Sequence, residues 1–595
     1  MPPTDYHGPV PDPTYIATQW LEGLAAAAND ADIDAFAGSL VAAGWMRANH
    51  LQPDLLCFSW DYRCLNGNEN ITTFLSESIR GQTRLNAAGL HSFQVQATST
   101  LGPPALVSSP LDPSAQAIQA VFEYSISSPP GRGRGFVRLV EEQRHEWKAL
   151  TILFTLHEIK GHEEPRVRPT GLFPDFVTWD EIERERKGAI EGDPTVLIAN
   201  VKLVVGGSLT GLICAARLTK LNVRALVIEK DARIGDVWRN RKLFPKYIPR
   251  VKLADFLEAY ATGEDLVVWT SCELLPIPKY DSASKHWSVT IHRGGERQTL
   301  RPKHIIMATG NGKAYKPEFP GIEKFIGLVY HSDDHRGATP FKGKRAVVVG
   351  ACNAAADMCI DFFAKGAHSV TMIQRSATCV ISANAADTLV YDRVYNERFA
   401  VEDADFGSLS MPTRLGLKLA AAGSTKVAKA FDKELFDGLE RAGFALTWEL
   451  TPGGGEVGAV GFVAERAGAG SMMDLGCGRL IIDGKVEVKR GSIARLEADS
   501  VVFEDESRVG ADVLVLATGY KPVIDNIKEL FGPEITDTIG FRLGGIDEEG
   551  EHMRAYRPSG HAGLWFALGL LPQIRAFSKY LILAEELGLK ETEPV

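Results

Sequence analysis

The amino-acid sequence predicts an α/β protein that contains two strand–helix–strand units, one nested inside the domain of the other, with a separate α+β domain ahead of them. Residues 196–230 and 345–376 predict the nested units, because each stretch shows an apolar run, a glycine turn, a helix start rich in small residues and a second apolar run. Over residues 15–154, helical periodicity gives way to alternating apolar residues, which predicts the leading α+β domain.

The composition is typical of a globular protein with several domains. The chain has 595 residues, of which 45% are hydrophobic and 24% are charged. At ~150 residues per domain, this length predicts about three to four domains. The formal net charge of −10 argues against nucleic acid or an anionic membrane as a partner. We therefore expect the partners to be small molecules.

Cysteine usage and the lack of targeting patterns predict a reduced, cytoplasmic protein. The eight cysteines form no CxxC pair and show no zinc spacing, so we predict free thiols and no metal site. The first residues lack the basic-then-apolar pattern of a signal peptide. No apolar run approaches the ~18–20 residues that a membrane span needs.

The first domain is predicted to begin with helices and to end with an antiparallel sheet. After a proline-rich tail over residues 1–13, predicted to be disordered, apolar residues follow a helical period from Tyr15. Residues 29–32 break this helix and can cap a second one over 33–41, and a short helix is predicted over 71–79. The layout is α+β over residues 14–162. Strands are predicted at 58–62, 93–95, 117–126, 135–140 and 147–154.

This layout resembles the cone-shaped fold of nuclear transport factor two and SnoaL-like proteins. Folds of this kind host both enzymes and dimerisation modules, so the resemblance by itself assigns no function. The residues that carry it are Gly44, Trp45, Trp60, Asp61, Gly67 and the hairpin strand 136–139.

Polar groups of the first domain are interpreted as structural rather than functional. Asp61, Arg63 and His145 could line a pocket, but we interpret them as structural or solvated side chains. The glycine-arginine run over residues 131–135 is interpreted as the mobile tip of a hairpin.

The stretch over residues 196–230 is predicted to bind a dinucleotide. Gly206, Ser208 and Gly211 occupy the three positions of the Gly-x-Gly-x-x-Gly fingerprint. The N–H groups and the dipole at the helix start favour a pyrophosphate, and Ser208 still offers an N–H and a hydroxyl where the pattern has glycine. Glu229 follows 18 residues after Gly211, where a carboxylate accepts hydrogen bonds from a free ribose diol. FAD or NAD is therefore predicted here.

The stretch over residues 345–376 repeats the pattern with the opposite charge at its end. Gly350 opens the turn, Asn353 lies at the helix start, and Ala355 stands at the third glycine position as a tolerated variant. Arg375 follows 20 residues after Ala355, where the first unit has its acid. A guanidinium suits a ribose with a 2′-phosphate, which it binds as a bidentate fork. NADPH is therefore predicted here, and the alternative is a solvated arginine at a strand end.

Two strand ends flank the second unit and predict where one domain interrupts the other. The chain would pass between the two domains at about residues 310–342 and 515–525, which we call the domain crossings. One buried strand ends in Thr309 and Gly310, and another ends in Thr518 and Gly519. A glycine at such an end lets the backbone pass close to a cofactor. Between these ends, the Asp-Gly pair within residues 480–488 predicts a hairpin.

The combination of motifs resembles the flavin-containing monooxygenases, including the plant YUCCA type. Their signature, Phe-x-Gly-x-x-x-His-x-x-x-Tyr/Phe, is matched by Phe325, Gly327 and His331, with His335 in the place of the aromatic residue. Trp238 ends a Gly-Asp-x-Trp sequence that follows the first unit, as in that family. The arrangement of a cone-shaped domain fused ahead of these motifs is similar to that of a group of flavin monooxygenases found in fungi and bacteria.

The resemblance covers residues 193–595 and implies two nested dinucleotide-binding (Rossmann-like) domains, preceded by the α+β cone-shaped domain. It implies an FAD-binding domain over 193–340 and 511–595, an NADPH-binding domain with a helical insertion over 341–510, and a linker over 163–192. In this family NADPH reduces FAD, the reduced flavin captures O₂ as a hydroperoxide, and one oxygen atom passes to a nitrogen, sulfur or carbonyl group of a small organic substrate.

The resemblance also implies roles for individual residues, although it assigns no catalytic residue, because the flavin needs no acid/base triad. FAD would be held by Gly206, Ser208, Gly211, Glu229 and Trp238. NADPH would be held by Gly350, Asn353 and Arg375. The domain crossings would be lined by Thr309, Gly310, Thr518 and Gly519.

Two alternatives to the monooxygenase were considered. A flavin enzyme that only passes hydride to a disulfide is disfavoured, because no redox CxxC is present. A degenerate homologue, either non-catalytic or oxidising NADPH without oxygen transfer, stays open because of Ser208, His335 and the short segment after Arg241. The 12 residues 239–250 leave little chain for a lid over the flavin, so we expect peroxide formation to consume most of the NADPH.

The first domain is expected to be dispensable for flavin binding. Its separate core and the polar linker behind it predict an independent module that mediates association, as a homodimer.

Overall fold

The protein, described by a computed structural model, divides into two compact units. The first unit contains the chain up to Glu164 together with Val394–Gly416 and Asp547–Glu551, and the second contains the rest. Both short segments come from stretches assigned above to the nucleotide-binding domains, so the compact units differ from the contiguous boundaries predicted there. The structure describes residues 12–50, 60–79, 81–96, 99–127, 129–143, 145–163, 179–199, 209–236, 250–308, 310, 312–540 and 542–590.

Several sequence predictions fall on residues outside these ranges. They concern most of the N-terminal tail, half of the linker over 163–192 and the segment 239–249. The side chain of Asp61 also lies outside the described part of the chain.

The first unit is an α+β domain, as predicted. Its strands are β1 Leu40–His50, β2 Trp60–Asn66, β3 Ser78–Ile79, β4 Gln82–Thr83, β5 Leu90–Val95, β6 Ala105–Ser108, β7 Gln116–Ser127, β8 Pro130–Gln143 and β9 Glu146–Ile159. The main sheet has the order β2-β1-β9-β8-β7-β5, with β6 also paired to β7. In this sheet β1 and β9 run parallel, and the other pairs are antiparallel. The helices are Pro13–Asn29, Ile33–Gly38, Asn68–Ser76 and Arg84–Ala88.

The second helix of this unit is shorter than predicted. It ends at Gly38, whereas the sequence predicted a helix up to residue 41. The reason is sheet pairing, because Leu40 already lies opposite Ala149 of β9. His145, by contrast, is exposed, as expected of a solvated residue.

Residues 131–135 are not a hairpin tip, which corrects the sequence interpretation. They lie inside β8, where Gly133 and Gly135 stand opposite Tyr124 and Phe122 of β7. A Cβ atom at Gly133 or Gly135 would lie 2.0 Å from the facing aromatic ring. The glycines therefore make room for the rings rather than form a turn.

The second unit contains a five-stranded parallel sheet that carries the first predicted dinucleotide unit. Its strands are β10 Val196–Ala199, β11 Ala225–Ile228, β12 Val267–Trp269, β17 His304–Met307 and β28 Leu564–Phe566. The order is β12-β11-β10-β17-β28, and every pair is parallel. In the sequence, β28 follows every strand of the second parallel sheet, which is therefore inserted between β17 and β28. Helix Leu209–Lys220 contacts β10 and β11 of this sheet, and helices Arg250–Gly263 and Leu571–Lys590 pack against that helix.

A second five-stranded parallel sheet carries the other predicted unit. Its strands are β18 Leu328–His331, β19 Arg345–Val349, β20 Ser369–Gln374, β23 Glu487–Arg490 and β27 Val513–Leu516. The order is β18-β27-β19-β20-β23, and every pair is parallel. Helix Asn353–Ala364 connects β19 to β20, and its small and apolar residues pack into the core of this sheet. Two parallel sheets with crossover helices confirm the predicted α/β class.

Smaller elements complete the second unit. Its remaining strands are β13 Cys272–Leu274, β14 Lys279–Asp281, β15 His286–Arg293, β16 Glu296–Leu300, β21 Cys379–Ser382, β22 Ser471–Asp474, β24 Ile493–Glu497, β25 Ser500–Phe503 and β26 Arg508–Gly510. Its other helices include Trp179–Gly192, Ala383–Ala386, Thr425–Phe431, Lys433–Arg441, Gly458–Arg466, Cys477–Ile482, Val523–Phe531 and Pro533–Ile539, with Thr413–Leu419 spanning the boundary between the units. Among the described residues, no helix combines the length and the apolar character needed to cross a bilayer.

The hairpin predicted over residues 480–488 is wrong. The chain instead forms helix Cys477–Ile482 and then enters β23. Gly484, with a φ of +66°, ends the helix, and Lys485 N–H donates to Leu480 O at 2.8 Å. An Asp-Gly pair supplies a positive φ equally well to a hairpin turn and to a helix end. Burial of one face of the helix decided between them.

His304 of β17 is predicted to make the stability of this unit depend on pH. Trp565 Nε1 donates to His304 Nδ1 at 3.1 Å, and burial lowers the pKa of His304 to about 4. The unfolded chain therefore binds the proton more readily. The contribution of His304 to the free energy of unfolding should be fully present above pH ~6.5. It should fall by about 2–3 kcal/mol as the pH drops towards 4. Urea unfolding of the wild type and of His304→Gln at pH 7 and pH 5 checks this, and an unchanged pH dependence in the variant would contradict it.

Candidate dinucleotide-binding sites

The first site is built at the carboxyl ends of β10 and β11. Glu229 follows β11 directly and is fully buried. Its backbone N–H donates to Trp269 O at 2.7 Å, and its Oε1 accepts from Asp231 N–H at 2.8 Å. Gly211 is buried in the first turn of helix Leu209–Lys220. Of the other residues predicted for this site, Gly206, Ser208 and Trp238 lie outside the described residues.

The helix of the first site is held in place by the C-terminal helix. Arg217 Nε donates to Ser578 Oγ at 2.9 Å, and the same guanidinium donates to Arg575 O at 2.8 Å. Ser578 is fully buried. These bonds fix the direction of the helix dipole, which is the feature that favours a pyrophosphate at its N-terminus.

Tyr556 is a candidate site residue that sequence analysis missed. It is 2% exposed, and its hydroxyl has no hydrogen-bond partner among the described residues. Burial, and then the Cys214 thiol of the first-site helix, raise the pKa of Tyr556. Tyr556 also has a φ of +58°, which is uncommon for a bulky residue. A buried, unsatisfied hydroxyl beside the dinucleotide helix fits a polar group of a ligand, but no motif marks it in the sequence.

The second site depends on a close approach between β19 and β27. Gly350 follows β19 with a φ of +126°, and a Cβ atom there would lie 2.4 Å from Ala517 O. Only glycine can adopt this conformation at this distance. Gly350 therefore sets the spacing of the two strand ends at the edge where the dinucleotide is predicted to bind.

The N-terminus of helix Asn353–Ala364 is available for a phosphate. Cys352 precedes the helix, and no side chain that the structure describes caps the helix start. Asn353 Oδ1 accepts from Met473 N–H at 2.7 Å, so Asn353 ties the helix start to β22. Uncapped N–H groups and the helix dipole together favour an anion at this end.

Arg375 lies where a 2′-phosphate is expected. It follows the last residue of β20, Gln374, and is exposed, whereas Gln374 is buried. Within the described part of the chain, its guanidinium forms no ion pair. Glu229 and Arg375 thus occupy corresponding strand ends in the two parallel sheets, as their spacing in the sequence predicted.

The two domain crossings are bonded to each other. His331, at the end of β18, is fully buried and accepts at Nδ1 from Asp333 N–H at 3.2 Å, so Nε2 carries the proton and donates to Gly519 O at 3.1 Å. Gly519 O also accepts from Tyr315 N–H at 2.9 Å, and Thr518 Oγ1 donates to Tyr315 O. Burial lowers the pKa of His331, which Asp333 opposes. The signature histidine is therefore a neutral donor that holds the crossings together.

Of two further residues predicted to line the crossings, Gly310 lies within the described residues and Thr309 does not. Gly310 has a φ of +54°, in the left-handed region that glycine adopts at little cost.

His335 replaces the signature aromatic residue and takes over its packing. Its ring stacks on Tyr330 with a centroid distance of 5.8 Å and an interplanar angle of 13°. It also adds polar contacts, since Tyr330 Oη lies 2.8 Å from Nδ1 and Asp361 Oδ2 lies 2.9 Å from Nε2. Asp361 accepts a further bond from Ala338 N–H at 2.7 Å. The substitution is thus accommodated by a hydrogen-bonded network on helix Asn353–Ala364.

Two parallel sheets, each with a crossover helix and a charged residue at the strand that follows, define a protein with two dinucleotide-binding domains. Residues 204–438 match the flavin-binding monooxygenase-like family. Over these residues the chain is therefore similar to flavin-binding monooxygenases.

Curated relatives are similar to the chain at low identity. The chain is 29% identical over 210 residues to the probable indole-3-pyruvate monooxygenase YUCCA3 of Arabidopsis thaliana, with coverage of 31% of this chain and 48% of the relative. It is 24% identical over 357 residues to flavin-containing monooxygenase 5 of Mus musculus, with coverage of 53% and 61%. The chain thus spans about half the length of the first of these relatives.

Solved structures that match the chain include two monooxygenases. A flavin monooxygenase mutant from Stenotrophomonas maltophilia shows 16% identity and a TM-score of 0.43, covering 68% of this chain and 100% of the other. The open crystal structure of cyclohexanone monooxygenase shows 15% identity and a TM-score of 0.45, covering 68% and 88%.

Proposed function

We propose that this protein is a monooxygenase that uses FAD and NADPH to transfer one oxygen atom from O₂ to a small organic substrate at a nitrogen, sulfur or carbonyl group. The observation that carries the proposal is the pair of opposite charges at corresponding strand ends. Glu229 suits a free ribose diol, and Arg375 suits a ribose that carries a 2′-phosphate. One chain therefore offers one site for each cofactor of its family.

In the first site, FAD would be held by the helix N-terminus, Glu229 and Tyr556. Glu229 would accept hydrogen bonds from the ribose diol, and the N-terminus of Leu209–Lys220 would face the pyrophosphate. The buried Tyr556 hydroxyl, which has no hydrogen-bond partner among the described residues, would gain one from the ligand. The roles of Gly206, Ser208 and Trp238 stay predictions from the sequence.

In the second site, NADPH would be held by Gly350, the helix that starts at Asn353, and Arg375. Gly350 keeps the strand ends close, so that the pyrophosphate can approach the backbone. Arg375 would bind the 2′-phosphate through a bidentate contact. Bound FAD, once reduced by NADPH, supplies the electrons that activate O₂.

The crossings would set how the two nucleotides meet. Hydrogen bonds of His331, Thr518 and Gly519 join the two crossing segments to each other. The nested domain is therefore attached through two segments that are bonded together. The contribution of these residues is orientation, which matters because reacting groups must be held within a short distance of each other. No residue of the chain is assigned a proton-transfer step.

A degenerate homologue is the second candidate, because Ser208 replaces a glycine that normally approaches the phosphates. Such a protein would be non-catalytic, or it would oxidise NADPH and release peroxide. A cytoplasmic location and association as a homodimer also stay predictions.

The absorption spectrum of the purified protein tests the proposal. We expect a flavin spectrum, and we expect NADPH to bleach it in the absence of O₂. Because a hydrogen bond to a charged group contributes about 1.5–3 kcal/mol, Glu229→Gln should weaken FAD binding about ten- to a hundredfold. Glu296→Gln is the matched control, since Glu296 is an exposed acid on β16.

Two outcomes separate the candidates. Protein that stays colourless after incubation with excess FAD contradicts the proposal and favours the degenerate homologue. A flavin that NADPH reduces, with peroxide equal to the NADPH consumed whatever amine, sulfide or ketone is added, indicates the uncoupled form.

A further inference from the structure

The inner face of the N-terminal sheet is a packed aromatic core. Phe122 and Tyr124 of β7 meet the Phe154 ring edge-on, at centroid distances of 5.7 Å and 5.5 Å. Gly133 and Gly135 of β8 stand opposite these two rings and leave the space that they occupy. This face therefore serves the stability of the domain.

The outer face of the same sheet is covered by the segment Val394–Gly416. Phe136, which follows Gly135 on β8, packs edge-on against Phe406 at 6.1 Å. The guanidinium of Arg134 lies 4.4 Å from the centre of the Phe406 ring and pairs with Asp403 at 2.5 Å. Asp403 also accepts from Thr100 N–H at 2.7 Å. The segment is thus bound by both apolar and ionic contacts.

Arg138 binds the end of the same segment and, within the described part of the chain, pairs with no acidic residue. Its guanidinium donates to Ser410 O at 3.1 Å and to Ser410 Oγ at 2.8 Å. Burial lowers the pKa of Arg138 to about 10. A cation enclosed in this way is retained because the carbonyl and hydroxyl oxygens satisfy its donors.

A second segment, Asp547–Glu551, is bound beside the first one. Arg63 of β2 forms a bidentate pair with Glu549, at 2.9 Å from Nε and 2.6 Å from the terminal nitrogen, and Cys64 N–H donates to Glu549 at 3.0 Å. Arg414 donates to Asp547 O at 2.5 Å, so the two segments also contact each other.

Arg47 of β1 contacts both segments at once. Its Nε and one terminal nitrogen each lie 2.6 Å from a carboxylate oxygen of Glu551, and the other terminal nitrogen donates to Leu409 O at 2.5 Å. The side chains of Arg47 and Glu551 are 5% and 1% exposed. Burial would lower the pKa of Arg47, but Glu551 raises it above the ordinary value.

Both segments belong to the first compact unit, but in the sequence each is flanked on both sides by chain of the second unit. Val394–Gly416 lies between β21 and β22, in the helical excursion of the nested domain, and Asp547–Glu551 lies between the second crossing and β28. We propose that the N-terminal sheet is an intramolecular brace that binds one segment from each dinucleotide-binding domain, with Arg47 as the shared contact. The partner of this surface is the same chain.

The brace changes what is expected of the N-terminal domain. The sequence predicted a dispensable module for association, whereas a brace must be present for both segments to keep their conformation. Because this face is already occupied by Val394–Gly416 and Asp547–Glu551, a second copy of the chain would have to bind elsewhere.

Hydrogen–deuterium exchange on the full chain tests the brace. The amides of Asp547, Gly550 and Glu551 are hydrogen-bonded within their segment, and Val401–Leu409 is helical, so both segments report on local opening. Because Arg47→Met leaves Glu551 buried and unpaired, exchange in both segments should be at least about tenfold faster.

Single-segment variants make the test specific. Arg63→Met should accelerate exchange only in Asp547–Glu551, and Arg134→Met only in Val401–Leu409. Arg132→Met is the matched control, because Arg132 also lies on β8 and pairs with Glu158 but is 66% exposed, and it should change neither segment. Strands β10 and β19 should exchange as in the wild type in every variant.

The proposal is overturned if Arg47→Met leaves either segment unchanged, or if β10 and β19 accelerate as much as the segments. It is also overturned if Arg63→Met and Arg134→Met loosen the same peptides equally. Should Arg47→Met fail to fold, the double variant Arg47→Met, Glu551→Leu removes the unpaired carboxylate. Exchange should then still be faster in Val401–Leu409, because the bond to Leu409 O is lost, and unchanged exchange there would overturn the proposal.

Discussion

Replacing Arg375 by alanine is expected to lower the preference for NADPH over NADH about ten- to a hundredfold. The guanidinium is exposed at the end of β20 and, within the described residues, has no ion-pair partner, so it is available for the 2′-phosphate. A charge-assisted bidentate contact contributes about 1.5–3 kcal/mol. The measurement is the ratio of flavin reduction rates at subsaturating NADPH and NADH, in wild type and variant.

Arg490 provides the matched control for this prediction. It ends β23, the neighbour of β20, lies opposite Gln374 and is also exposed. Arg490→Ala removes the same charge from the same edge of the sheet and should leave the ratio nearly unchanged. If the ratio falls with Arg490→Ala and not with Arg375→Ala, the residue that recognises the 2′-phosphate has been assigned wrongly.

Gly350→Ala is expected to destabilise the nested domain by about 3 kcal/mol or more and to abolish tight NADPH binding. The added Cβ atom would lie 2.4 Å from Ala517 O, and the φ of +126° is itself unfavourable for alanine. Such strain costs of order 1–3 kcal/mol before the clash with the backbone is added. Denaturant unfolding and NADPH titration measure the two effects.

Gly343→Ala separates the two contributions. Gly343 also has a positive φ, +72°, but a Cβ atom there would have no neighbour within 4 Å. The Gly343→Ala substitution should lower the free energy of unfolding by only about 1 kcal/mol and leave NADPH binding intact. Equal losses at the two glycines would show that the approach of β19 to β27 does not matter for the site.

The sequence was sufficient to predict the two dinucleotide units, because their chemistry is local. Strand, glycine turn, helix start and the charged residue that follows all lie within one short stretch, so the spacing of Glu229 and Arg375 already placed them at strand ends. The parallel pairing of β10 with β11 and of β19 with β20 followed from the crossover helices.

Local sequence patterns gave wrong predictions where the same short sequence is compatible with two different structures. The Asp483-Gly484 pair fits a hairpin and a helix end equally well, and packing of helix Cys477–Ile482 into the core selected the helix. The glycines over residues 131–135 fit a flexible tip, but the rings of Tyr124 and Phe122 required them inside a strand.

By itself, the sequence determined the α/β class, the leading α+β domain and the positions of Glu229 and Arg375 at strand ends, because each depends on neighbours along the chain. The tertiary structure alone decided the contacts between distant residues. Arg47 and Glu551 are separated by 504 positions, and Tyr556 shows no motif that marks its buried hydroxyl. A buried ion pair or an unsatisfied hydroxyl depends on what lies opposite in space, and no periodicity or spacing carries that information.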